Sequence, residues 1–237
     1  MKKAILFLTV LLALTSFAQE KIISDPNAEQ RAVGSFHAIK VSEGIDLILK
    51  QGNTEAVAVS ASEKQYRDRI KTEVVGGVLK ISFDFNLFKD LKYRNKNLKA
   101  YVSFKKLDKI VGSSGAETRI DGTLTADDLV INLSSGAGLT GEIEATSLDI
   151  DESSGATSSI SGRVEILKVE ATTGAHFVGN DLVANKCDAN ASTGGKIQIR
   201  VESELTADAS TGGEILYKGH GSITTASTRL GGEIRKR

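Results

Sequence analysis

The chain has 237 residues, with 30 Lys and Arg balanced by 30 Asp and Glu, one Cys, one Pro and no Trp. The lack of a basic stripe interleaved with aromatics, and the export expected below, argue against nucleic-acid binding. A lone cysteine excludes an internal disulfide, no spaced set of ligands marks a metal site, and no cofactor is expected.

Met1-Lys2-Lys3 precedes an apolar run from Ala4 to Leu14 and then Ser16-Phe17-Ala18. This layout predicts a signal peptide over residues 1–18, cleaved after Ala18, whose apolar core is too short for a membrane span. The rest of the chain is therefore expected to be exported, to the periplasm, the cell surface or beyond, with no transmembrane span after cleavage. Residues 19–35 are polar, carry Pro26 and are expected to form a disordered leader. A single domain then covers residues 36–237.

Within it, residues 36–109 read as irregular N-terminal coils. Strand patterns occur at Phe36 to Val41, Ile45 to Leu49, Val57 to Ala61 and Val74 to Phe83, and a helical turn is expected near Tyr66 to Ile70. Residues 84–98 interrupt this rhythm as an insert. It holds Phe85, Leu87, Phe88, Leu91 and Tyr93 among lysines and asparagines, and reads as an inserted loop or as an amphipathic flap over one end.

Residues 110–237 form regular coils and a C-terminal cap. The signal is a recurring tag: Ser113-Ser114-Gly115-Ala116, Ser134-Ser135-Gly136-Ala137, Ser153-Ser154-Gly155-Ala156, Thr172-Thr173-Gly174-Ala175, Ser192-Thr193-Gly194-Gly195 and Ser210-Thr211-Gly212-Gly213, with a degenerate copy ending at Gly231-Gly232. The tag glycines are 21, 19, 19, 20, 18 and 19 residues apart. So regular a period predicts a solenoid with one coil per repeat. Five positions before each tag glycine stand Ile110, Ile131, Ile150, Val169, Ala189, Ala207 and Ala226, and two positions earlier Leu129, Leu148, Leu167, Cys187 and Leu205. Alternation of these apolar columns with polar positions is strand periodicity. A second strand stretch follows each tag, with Gly122, Gly141, Gly162, Gly179 and Gly219 as corners between its halves. The fold class is all-β, a right-handed parallel β-helix with coils of about 18–21 residues, the hand following from the general rule for parallel crossovers. In the tag, glycine supplies a positive φ and the hydroxyls are expected to bond backbone groups left free by the turn.

Phe36-x-x-Ile39-x-Val41-x-x-Gly44-Ile45-Asp46, the repeated Ser-Ser-Gly-Ala, and Tyr217-Lys218-Gly219 with Gly231-Gly232 together resemble the head GIN domain family, whose members are described as candidate auto-transporter adhesins. The resemblance spans about residues 36–234, with Asp46 where the family's name suggests Asn. It implies a right-handed β-helix on an envelope or secreted protein, with adhesion as its function class.

Charge is uneven along the chain. Residues 37–109 hold 15 Lys and Arg against 9 Asp and Glu, whereas residues 110–220 hold 7 against 17. Such opposed halves suit self-association or contact with an anionic surface. The column four positions before the tag glycine, Asn132, Asp151, Glu170, Asn190 and Asp208, faces water and is the candidate ligand-binding face. The tag hydroxyls accompany it, and the basic patch Lys89, Lys92, Arg94, Lys96, Lys105 and Lys106 comes second. A glycan or cell-surface component is the expected partner. The catalytic alternative is a polysaccharide lyase or glycosidase, with Asp151 and Glu170 about 5 Å apart on adjacent rungs. Against it, an acidic column on any solenoid gives that spacing, and no catalytic residue is assigned. Cys187 lies in the inward leucine column and reads as a buried apolar residue. A self-associating structural protein is the third reading.

Overall fold

The computed structural model describes residues 25–86 and 96–237, so the expected signal peptide and the middle of the insert lie outside the described residues. Each tag is a corner at which two consecutive residues take positive φ. Ser114 and Gly115 have φ of 53° and 71°, and Thr193 and Gly194 have 50° and 75°. The turn is closed by the N–H of Ala116 on the carbonyl of Ser113 at 3.2 Å, and the same bond recurs in every later tag. Successive corners are bolted together by the glycine N–H: Gly115 donates to the carbonyl of Ser135, Gly136 to Ser154, and Gly155 to Thr173, at 3.0–3.1 Å. Backbone groups close the corner, not the hydroxyls that the sequence pointed to.

In chain order the elements are β1 (Glu29–Arg31), β2 (Ala38–Val41), β3 (Asp46–Gln51), β4 (Ala56–Ser60), α1 (Lys64–Arg67), β5 (Ile70–Val75), β6 (Val78–Phe83), β7 (Lys99–Phe104) and β8 (Lys109–Gly112). The regular coils follow as β9 (Glu117–Leu133), β10 (Gly138–Glu152), β11 (Thr157–Ala171), β12 (His176–Ala191) and β13 (Lys196–Ser210), then β14 (Glu214–Lys218), β15 (Ser222–Arg229) and β16 (Glu233–Lys236). The chain is a β-solenoid of about seven turns. Neighbouring regular coils pair in parallel throughout. From β9 to β13 each coil is one long bent strand, not two short ones parted by a glycine turn. Differences in coil length are absorbed as register shifts, for example between Thr140 and Glu142 and between Gly179 and Val183. These fall at the second corner, whereas the tag corner stays in register.

The inward column is continuous from the N-terminal coils to the last. Leu79 pairs with Ile39, Ile39 with Ile110, and the ladder goes on through Ile131, Ile150, Val169, Ala189, Ala207 and Ala226. All are buried except Ala226, which is exposed because no described coil lies beyond it. Where the column thins to Ala189 and Ala191, the same coil supplies Phe177, fully buried, so interior volume is conserved. The second inward stretch is less uniform than its spacing suggests. Leu139 stacks on Thr118 and Ser158, and Ile160 is register partner of Gly141. A side chain at Gly141 would collide with Ile120.

The N-terminal coils are laid out of order. Ser42-Glu43-Gly44-Ile45 is an extra corner, with φ of 57° at Glu43 and 66° at Gly44, which joins β2 to β3. Beneath them lie β6 and β7, paired to β2 and β3, while β8 and the start of β9 lie on the other side. β6 ends, and β7 begins, at the corner where other coils carry a tag. Antiparallel β4, β5 and β1 close this end, β4 on β7, β5 on β6 and β1 on β4, protecting edges that would otherwise be open. Residues 29–31 are therefore a strand and not disordered leader. Arg67 bridges to Glu29 at 2.8 Å and donates to the carbonyl of Asn27 at 3.0 Å, which ties this segment down.

Candidate functional site

On the pre-tag side of each coil, alternate residues point out from a parallel sheet of consecutive rungs. Asn132, Asp151, Glu170, Asn190 and Asp208 are in register from β9 to β13 and form one outward ladder, half to fully exposed. Adjacent rungs are about 4.8 Å apart, the ordinary strand spacing. Beside it runs a second outward column in which Lys168 reaches Asp149 at 3.4 Å. In the third, Lys186 pairs with Glu204 at 3.2 Å. Asp208 is bound by Arg229 at 3.0 Å, so the ladder's last carboxylate is neutralised by the following coil. Asp151 and Glu170 are its one directly stacked acidic pair, and neither lines either of the two open pockets described below. In the basic patch, Lys89, Lys92 and Arg94 lie outside the described residues, and Lys96 stacks over Tyr66 at 5.8 Å from the ring centre.

Two open pockets were not anticipated. The first, of about 510 Å³, follows the second corner across β9 to β12, lined by Thr140, Glu142, Ser159, Ser161, Asn180 and Asp181 over Gly122 and Gly141. The second, of about 490 Å³, lies between residues 25–27 and the outer face of β3, β4 and β7. There the Tyr101 hydroxyl donates to Asp25 at 2.9 Å. Burial opposes charge on Asp25, yet hydrogen bonds from Asn27, Ser60 and Tyr101 and the charge of Lys99 hold it below the usual carboxylate range. Burial first, and Asp25 after it, pushes the Tyr101 phenol up to about 12.

Cys187 and Glu152 place ionisable side chains inside the regular coils. Burial pushes the Cys187 thiol far up, as expected for an inert core residue. Glu152 was missed. It is fully buried in the inward column between Leu133 and Ala171, and accepts a hydrogen bond from Ser158. The signal was available, since it stands three positions before a tag glycine, in line with Leu133, Ala171 and Ala191.

Residues 35–221 match the family model described as "Putative auto-transporter adhesin, head GIN domain". The chain belongs to this family. Solved structures share its fold. One, titled a putative adhesin from Bacteroides fragilis, has a TM-score of 0.79 at 20% identity, over 89% of this chain and 96% of that one. A second, titled a putative lipid binding protein from Parabacteroides distasonis, has a TM-score of 0.68 at 20% identity, over 90% and 98%. A third, titled a putative adhesin from Parabacteroides merdae, has a TM-score of 0.68 at 18% identity, over 89% and 95%. These likenesses are of fold. No curated protein matches the chain. No helix among the described residues is long and apolar enough to cross a membrane.

Proposed function

We propose that this head GIN protein is an exported, non-catalytic binding module of the adhesion class, and that it meets a glycan or another repetitive cell-surface component through its outward ladder. The observation that carries this reading is the unbroken register of Asn132, Asp151, Glu170, Asn190 and Asp208. A rigid row of polar groups at constant spacing is matched by a polymer with a repeat of its own, and a solenoid holds that row without loss of conformational freedom on binding. The family description and the adhesin titles of two structural relatives support the class. One relative's title gives lipid binding, but polar lining of both pockets here favours a hydroxyl-rich ligand over an acyl chain.

Binding of residues 25–237 to immobilised surface polysaccharides tests this reading. Saturable binding that weakens in Asp151→Asn and Glu170→Gln is expected. Polysaccharide cleavage by the wild type, lost in those variants, would replace the reading with a glycosidase. A second reading is favoured by the last coil, where β15 and β16 each pair on one side only among the described residues and Leu230 is 82% exposed. Such an edge suits end-to-end association. Light scattering across a concentration series separates it from a monomeric adhesin.

A further inference from the structure

We propose that the pocket beneath residues 25–27 is a separate binding site for a single neutral pyranose ring. The inference goes beyond the ladder, since this pocket is on the post-tag face, at the capped end of the solenoid.

The pocket is built rather than left over. Its roof is chain that the fold takes trouble to fix: β1 adds to the edge of β4, Arg67 holds the carbonyl of Asn27, and the Tyr101 hydroxyl holds Asp25. Its floor carries an apolar strip, because Ile48 on β3 and Tyr101 on β7 are register partners and both line the cavity. Around that strip stand Asp25, Ser60, Asn97, Lys99 and Asp121, a mixed set of donors and acceptors.

The lining restricts what fits. An acyl chain would take these charged and polar groups out of water and offer them no hydrogen bond in return, which is unfavourable. A phosphate or other anion would meet the carboxylates of Asp25 and Asp121, and like charges at short range repel. A pyranose satisfies both parts of the surface. Its C–H face rests on an apolar or aromatic strip, while its ring of hydroxyls donates to carboxylates and amide oxygens and accepts from an ammonium. The volume, about 490 Å³, is within the usual range for small-ligand sites.

The test uses the chain from residue 25 onward and saturation-transfer NMR with the methyl glycosides of glucose, galactose, mannose, fucose and N-acetylglucosamine as probes. At least one is expected to saturate in the millimolar range, with affinity falling about tenfold or more in Lys99→Ala and in Asn97→Ala, and unchanged in Asp151→Asn. Circular dichroism and thermal melting confirm that each variant is folded. Asp121→Asn, at the rim, serves where Lys99→Ala does not fold. Failure of all five glycosides to saturate overturns the proposal, as does binding that survives the pocket variants. Binding lost in Asp151→Asn but kept in Lys99→Ala assigns the sugar to the ladder, which sinks the pocket and leaves the adhesion reading standing. Polysaccharide binding to the ladder with no monosaccharide in the pocket does the same.

Discussion

Ser158 donates its hydroxyl to one carboxylate oxygen of Glu152, inside the solenoid, and the other oxygen of that carboxylate has no partner. Burial, with the neighbouring charge of Asp151, pushes Glu152 up from 4.5 to about 7, against the opposing pull of Ser158. Below about pH 4.5 the group is protonated in folded and unfolded chain alike and does not affect stability. Between 4.5 and 7 the unfolded chain releases its proton while the folded chain keeps it, so stability falls as pH rises. Above 7 the full cost, about 3 kcal/mol, persists. Urea denaturation across this range is expected to show that decline in wild type and a flattened profile in Glu152→Gln. Glu152→Leu, matching Leu133 on the adjacent rung, is expected to flatten it and to raise stability at neutral pH. An unchanged slope in both variants would refute the assignment.

Thr193 occupies the first of the two positive-φ positions in its corner, at 50°. A β-branched residue is poorly suited to this region, whereas Asn-Gly is the favoured pair for a turn with two left-handed residues. Thr193→Asn is expected to stabilise by about 1 kcal/mol, read as a higher melting temperature, and Thr173→Asn to act alike. No gain in either would mean that stacked corners offset the strain.

The stacking of Ile131, Ile150 and Val169 is legible in the sequence because each lies at one fixed distance from a tag glycine, and a constant distance in a solenoid is a position on a wall. The same rule places Asn132, Asp151 and Glu170 in a single outward file. It fails where length varies: one to three residues are absorbed at the second corner, so Ile143, seven positions after its tag glycine, pairs with Leu124, nine after its own. It is silent on the N-terminal coils, where β6 and β7 are laid beneath strands that precede them in sequence. Strand β1 is only three residues long, too few for periodicity to register, and is fixed by the distant Arg67 and β4. The pocket under Asp25 depends on those same long-range contacts, so no local pattern announces it. Glu152 was within reach of the column rule, but a carboxylate in an apolar file reads as an outward residue unless its register is followed.

Gly195 and Gly213 stand where earlier tags have alanine, and their turns are tighter, with the closing N–H···O bond at 2.8 Å against 3.0–3.2 Å in the Ala tags. A Cβ at Gly195 would press on the carbonyl of Ala171, a backbone atom that cannot step aside. Gly195→Ala is expected to cost about 1–3 kcal/mol by overpacking, despite the lower entropy of its unfolded chain. Gly52→Ala is the control, since its Cβ would meet only Ser103 Oγ at an ordinary 3.6 Å. Chemical denaturation of the two variants should separate them clearly. Equal behaviour would show that the corner relaxes.

Asp151 and Glu170 are register partners on one face, and like charges placed directly opposite each other destabilise a sheet by about 0.2–1 kcal/mol. The adjoining column avoids this by setting Lys168 between Asp149 and Asp188. Under the proposed function, Asp151 and Glu170 keep this repulsion because groups that serve a ligand are not free to neutralise each other. Asp151→Asn is therefore expected to raise the melting temperature slightly at low salt, with the gain shrinking at molar salt as screening takes over. The same variant is expected to lose affinity for the immobilised polysaccharide. Asp149→Asn, which breaks only an exposed ion pair, should change stability little and binding not at all. If Asp151→Asn neither stabilises the protein nor weakens binding, the ladder is a solvated surface, and the groove along the second corner becomes the candidate binding face.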